Sequence, residues 1–62
     1  MNEIDALREQ IAQTEKILIE SRDNYQKNPD EYSAQLLLLT TENHLSDLLK
    51  KLDALSQASS TD

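Results

Sequence analysis

The residues with chemical potential are few. The one histidine, His44, has Glu42 two positions before it and Asp47 three positions after it. On a helix, His44 and Asp47 share a face. The carboxylate-bridged metal bundles, however, place a glutamate three residues before the histidine. Thr41 stands there instead, and two ligands do not complete a metal shell. His44 is therefore expected as an ordinary exposed or seam-flanking residue.

Asp5 with Glu9, and Asp30 with Glu31, are neighbouring carboxylates. Acid–base catalysis needs a pocket that drives two such pKa values apart, and a chain this small offers no evident cleft for one. Helix capping and solubility account for both pairs. Ser56, Ser59 and Ser60 have no base beside them to activate a hydroxyl. Cysteine is absent, which excludes disulfides and thiolate metal sites. The expectation is a non-enzyme with no catalytic residue, no cofactor and no metal.

Whatever these side chains do must be arranged by very little chain. Sixty-two residues make one domain, 1–62. Below about 70 residues a fold usually needs a staple or an oligomer, because a small body hides a smaller share of its surface. Glycine is absent and proline occurs once, a poor supply for the turns of a sheet. Phe and Trp are missing, and the apolar residues are mostly Leu, Ile and Ala. The fold class expected is all-α.

Twelve acids against six bases give a net charge of −6. That balance opposes nucleic-acid binding, which draws on Lys and Arg to neutralise phosphates, and it opposes docking on anionic lipid. The opening MNEIDALREQ lacks the basic and apolar regions of a signal peptide. The longest apolar run, Leu36 to Leu39, is far short of the roughly 20 residues that span a bilayer. A cytoplasmic protein that does not enter membranes is expected.

Residues 3–27 hold no Pro or Gly, and Ile4, Leu7, Ile11, Leu18 and Tyr25 recur at steps of three and four once Thr14 and Ser21 fill the gaps. This is a heptad stripe. Asn2 suits an N-cap, Glu3 and Asp5 sit at the positive end of the helix, and Arg22 and Lys27 lie toward the negative end. The break falls at KNPDEY. Proline disfavours helix for the residue before it, so the turn is placed at about 27–29. Asn28 as N-cap, Pro29 at the first helical position and Glu31 as capping-box partner would start a second helix over about 29–56. Its stripe is Leu38, Thr41, Leu45, Leu48, Leu52 and Leu55, with Lys50 and Lys51 toward its end. The polar segment 57–62 reads as a tail.

The two stripes fit one another if the chain reverses at Pro29. Ile4 then lies level with Leu55, Leu7 with Leu52, Ile11 with Leu48, Thr14 with Leu45, Leu18 with Thr41 and Tyr25 with Ala34. Such a common phase indicates an antiparallel, coiled-coil-like two-helix hairpin. In that register Glu15 and Glu42 would face each other at the seam edge, a mildly unfavourable pair. Thr14, Ser21 and Thr41 interrupt the stripes, and polar residues at such positions can fix register or oligomeric state as well as simply being tolerated.

Apolar residues remain beyond this seam. Tyr32, Leu36 and Leu39 fall on the far side of the second helix, Leu37 and Leu49 flank its seam, and Ile17 and Ile19 flank that of the first helix. A helix apolar nearly all round is expected to be buried on more than one side. These seven residues are the expected partner or dimer interface, and two hairpins making a homodimeric four-helix bundle would cover them.

In length and layout, along the whole chain but in no particular motif, the sequence resembles the Rop-type hairpins. The resemblance implies dimerisation into a four-helix bundle and contact with paired RNA loops. The bases that would carry such contact, Arg8, Lys16, Arg22 and Lys27, are interleaved with Glu3, Asp5, Glu9, Glu15, Glu20 and Asp23, and the one aromatic among them, Tyr25, belongs to the apolar stripe. The function expected is thus a small interaction or regulatory protein acting through helix–helix packing. Its expected partner is a second copy of itself or another protein. A Rop-like regulator associated with nucleic acid, or an acidic inhibitor mimicking nucleic acid, are the alternatives.

Overall fold

The structure, a computed structural model, describes residues 2–59. It consists of two helices, α1 over Glu3–Lys27 and α2 over Tyr32–Ser59, packed against each other along their length. The hairpin is a thin rod with extents of 51 × 18 × 12 Å.

α1 begins where the cap chemistry puts it. Asn2 is extended, with φ −90° and ψ 174°, and its Oδ1 accepts a hydrogen bond from the Asp5 backbone N–H at 2.8 Å. That satisfies one of the donors every helix start leaves over. At the other end Lys27 lies in the last turn and forms an ion pair with Asp23 one turn earlier, at 3.0 Å.

The start of α2 differs from the expectation. Asn28 was expected to cap α2, with Pro29 as its first residue, but the helix starts at Tyr32. Asn28 is committed elsewhere: its backbone N–H donates to the carbonyls of Asn24 and Tyr25, and its side-chain amide donates to Asn24 O at 3.2 Å and Asn24 Oδ1 at 3.1 Å. It closes α1 and cannot also open α2. Its carbonyl then accepts from the Glu31 N–H, and Pro29 and Asp30 form the turn between them. The Glu31 carbonyl accepts from the Gln35 N–H, so α2 is entered from Glu31. The first turn of α2 consequently contains no acid.

The far end differs too. α2 continues through residues 57–59, which were expected in the tail, and Lys50 and Lys51 fall outside its last turn. No Pro or Gly interrupts the segment, and Gln57 Nε2 donates to Asp53 Oδ2 one turn back at 3.1 Å. The expected tail residues 60–62 lie outside the described residues.

Both stripes are buried or half-buried as the periodicity demands. On α1 these are Ile4, Leu7, Ile11, Thr14, Leu18, Ser21 and Tyr25; on α2 they are Ala34, Leu38, Thr41, Leu45, Leu48, Leu52 and Leu55. The seam is not uniform along its length. Leu7, Ile11 and Leu48 form the buried core, with Leu45, Leu52 and Leu55 packed against it. All six belong to the half away from the turn. Nearer the turn the buried positions include the small or polar Ser21, Ala34 and Thr41.

Candidate interaction surface

The polar seam residues divide into two kinds. Thr14 Oγ1 donates to the Gln10 carbonyl at 2.8 Å, and Thr41 Oγ1 donates to the Leu37 carbonyl at 2.7 Å. Each threonine returns its proton to its own helix, which lets a polar residue sit at a buried position without an unmet donor. Ser21 is 2 % exposed, and its Oγ has no hydrogen-bond partner. The expected Glu15–Glu42 opposition is relieved at Glu42, which lies 3.8 Å from Arg22, and Glu15 is exposed.

The structure places the titratable candidates of the sequence at the surface. His44, Asp47, Asp5 and Glu9 are exposed on the helices, Asp30 and Glu31 are exposed at the turn, and Ser56 is exposed on α2. Ser59 is the last residue of α2, and Ser60 lies outside the described residues. Among the described residues, no group of three or more His, Cys, Asp or Glu side chains is placed to hold a metal ion. No helix among them is long and apolar enough to cross a membrane.

What the structure does present is apolar surface. Among the described residues the exposed large apolar ones are Ile17, Ile19, Tyr32, Leu36, Leu37, Leu39 and Leu49, from 45 % for Leu36 to 74 % for Tyr32. They are the same seven that the seam leaves over in the sequence, but they do not form one patch. At about 100° per residue, Tyr32, Leu36 and Leu39 project from the side of α2 opposite its buried stripe. Ile17 lines a groove between the helices together with Gln10, Gln13, Thr14, Thr40, Thr41 and His44. Leu37, one turn before Thr40 and Thr41, lies on that same face of the hairpin. Leu49 lines a shallower groove with Leu18, Arg22, Glu42, Leu45 and Ser46 on the reverse face, and Ile19 is turned to that side.

A further groove of about 480 Å³ opens at the end of the rod away from the turn, between Glu3, Ala6, Leu7 and Gln10 on α1 and Lys51, Ala54 and Leu55 on α2. It continues the face that carries Ile17 and Leu37. The two grooves match residues early in α1 with residues late in α2, and residues midway along one with residues midway along the other. That is the order an antiparallel hairpin requires.

Six of the seven exposed residues, all but Leu49, lie toward the turn, where the seam is poorest in large side chains. The rod is therefore richer in large apolar side chains inside at its open end and outside near its turn. No protein-family model matches the chain, and neither a curated protein nor a solved structure is significantly similar to it.

Proposed function

We infer that this chain is a non-enzymatic interaction protein that works by helix-on-helix packing, with a homodimeric four-helix bundle as its basic assembly. The observation that carries this reading is the inversion along the rod, with leucine and isoleucine in solvent where the buried seam residues are Ser21, Ala34, Thr41 and one leucine, Leu18. Each large apolar side chain that passes from water into a packed interface contributes about 1.5–3 kcal/mol. A two-helix seam with so small a core gains from a third and fourth helix. Tyr32, Leu36 and Leu39 follow the i, i+4, i+7 spacing by which one helix anchors on another, so this stripe suits a helix of another protein. Acidic residues around it keep the free chain soluble.

Sedimentation velocity from micromolar to millimolar concentration tests the reading. The expected mass is twice the 7.1 kDa of the chain, with helical content falling as dilution separates the copies. A monomer that melts cooperatively and identically across that range overturns it.

A further inference from the structure

We propose that the second copy packs on one particular face of the hairpin, the charge-poor one centred on Ile17 and Leu37, and that the opposite face stays in solvent. This rests on the assembly reading above and adds to it the surface used.

The first argument is charge. Between the helices on this face stand Gln10, Gln13, Ile17, Leu37, Thr40 and His44, none of which counts toward the net charge of −6. Charged residues return at the open end, where Glu3 and Lys51 are of opposite sign, and along the outer edges of the helices, with Glu20 and Lys27 at the heptad position of Gln13 on α1 and Asp47 at that of Thr40 on α2. The reverse face bears Arg8, Glu15, Arg22 and Glu42 beside its seam, with Asp5 and Asp53 at its outer edges. Two copies that each carry −6 repel, so they meet with least penalty where the positions beside the seam carry the fewest charges. A partner chosen for its opposite charge would seek the reverse face instead.

The second argument is shape. A two-fold interface uses one patch twice, so that patch must hold both a projection and a recess. Here Ile17 and Leu37 project, at 48 % and 46 % exposure, beside the groove lined by Gln13, Thr40 and His44 and the one lined by Ala6, Ala54 and Leu55. Third is size: this face runs the 51 Å length of the rod across both helices, which leaves room for the roughly 800 Å² per partner of a standard stable interface. The back of α2 offers only one helix width, with apolar residues confined to the stretch from Tyr32 to Leu39.

The test uses two double variants of the full chain, Gln13→Glu with Thr40→Glu, and Gln13→Lys with Thr40→Lys. All the substituted side chains are exposed, and neither variant removes an apolar residue. Each alone should dimerise at least about a hundredfold more weakly than the parent, because like charges meet across the two-fold. An equimolar mixture should recover the dimer, which separates a broken interface from a chain that no longer folds. Leu36→Glu with Leu39→Glu should leave the mass unchanged. A dimer that survives both charged variants, or a mixture that fails to recover one, overturns the choice of face while leaving the assembly in place. A parent chain that is monomeric at millimolar concentration overturns both.

Discussion

Ser21 and Thr14 occupy equivalent positions one heptad apart on the buried stripe of α1, yet only the threonine hydroxyl has a partner, the Gln10 carbonyl at 2.8 Å. A buried donor left unpaired costs about 1–3 kcal/mol. Ser21→Ala removes it and improves helix propensity as well. The variant should be more stable by about 1 kcal/mol, a rise of roughly 4–8 °C in melting temperature for a domain of this size. Thr14→Val, which discards a satisfied hydroxyl, should change the melting temperature by less. Circular dichroism at matched concentration decides; a lower melting temperature for Ser21→Ala means the hydroxyl is satisfied in solution.

The core near the open end is small enough that one residue governs it. Leu48 is 3 % exposed and packs with Leu7 and Ile11. Leu48→Ala should cost about 2–5 kcal/mol, a large part of what a domain this short can have. Adjacent Leu49 is 47 % exposed, and Leu49→Ala should cost under about 1 kcal/mol by the usual tolerance of surface positions. Urea titration of the two variants side by side should separate them clearly, and equal losses would contradict the seam.

The Asn2 cap gives a local prediction. Asn2→Ala removes the acceptor of the Asp5 N–H and should cost about 1 kcal/mol. Amide exchange should quicken at Asp5 and its neighbours in the first turn and stay unchanged around Leu48. Protection lost throughout would mean that the cap holds more than its own turn.

Surface charge should matter little to the hairpin itself. Arg22 and Glu42 approach only to 3.8 Å and are both largely exposed, the setting in which an ion pair contributes between nothing and about 1 kcal/mol. Asp23 with Lys27 at 3.0 Å is a helical i, i+4 pair of roughly 0.3–0.5 kcal/mol. Glu42→Gln and Lys27→Gln should each shift stability within about 0.5 kcal/mol, measured at low salt where such effects are largest.

Much of the fold was legible in the sequence because it depends on period. Residues spaced by three and four from Ile4 to Tyr25 and from Ala34 to Leu55 are the ones that are buried, and among the described residues every large apolar side chain off that phase is exposed. The Asn2 cap was readable for the same reason, since it needs only a short polar residue before an unbroken helix. The start of α2 was not, because Asn28 could serve either helix. What decides it is Asn24, four residues earlier, which draws the Asn28 amide back toward α1. The pair of asparagines one turn apart was the available signal. The seven leftover apolar residues were also identifiable by elimination. Their division between separate faces of the hairpin was not, because it depends on how each helix is rotated about the common seam.

The turn between Lys27 and Tyr32 is made without any residue at positive φ. Reversal therefore asks nothing of glycine and relies on Pro29 together with the Asn24–Asn28 clasp. Mechanically the molecule resembles a pair of tongs. A pull that separates Glu3 from Ser59 would meet its greatest resistance at once, at the knot of Leu7, Ile11 and Leu48, and progressively less toward the bend. Tension would thus act as an all-or-nothing release, with few stable half-open forms.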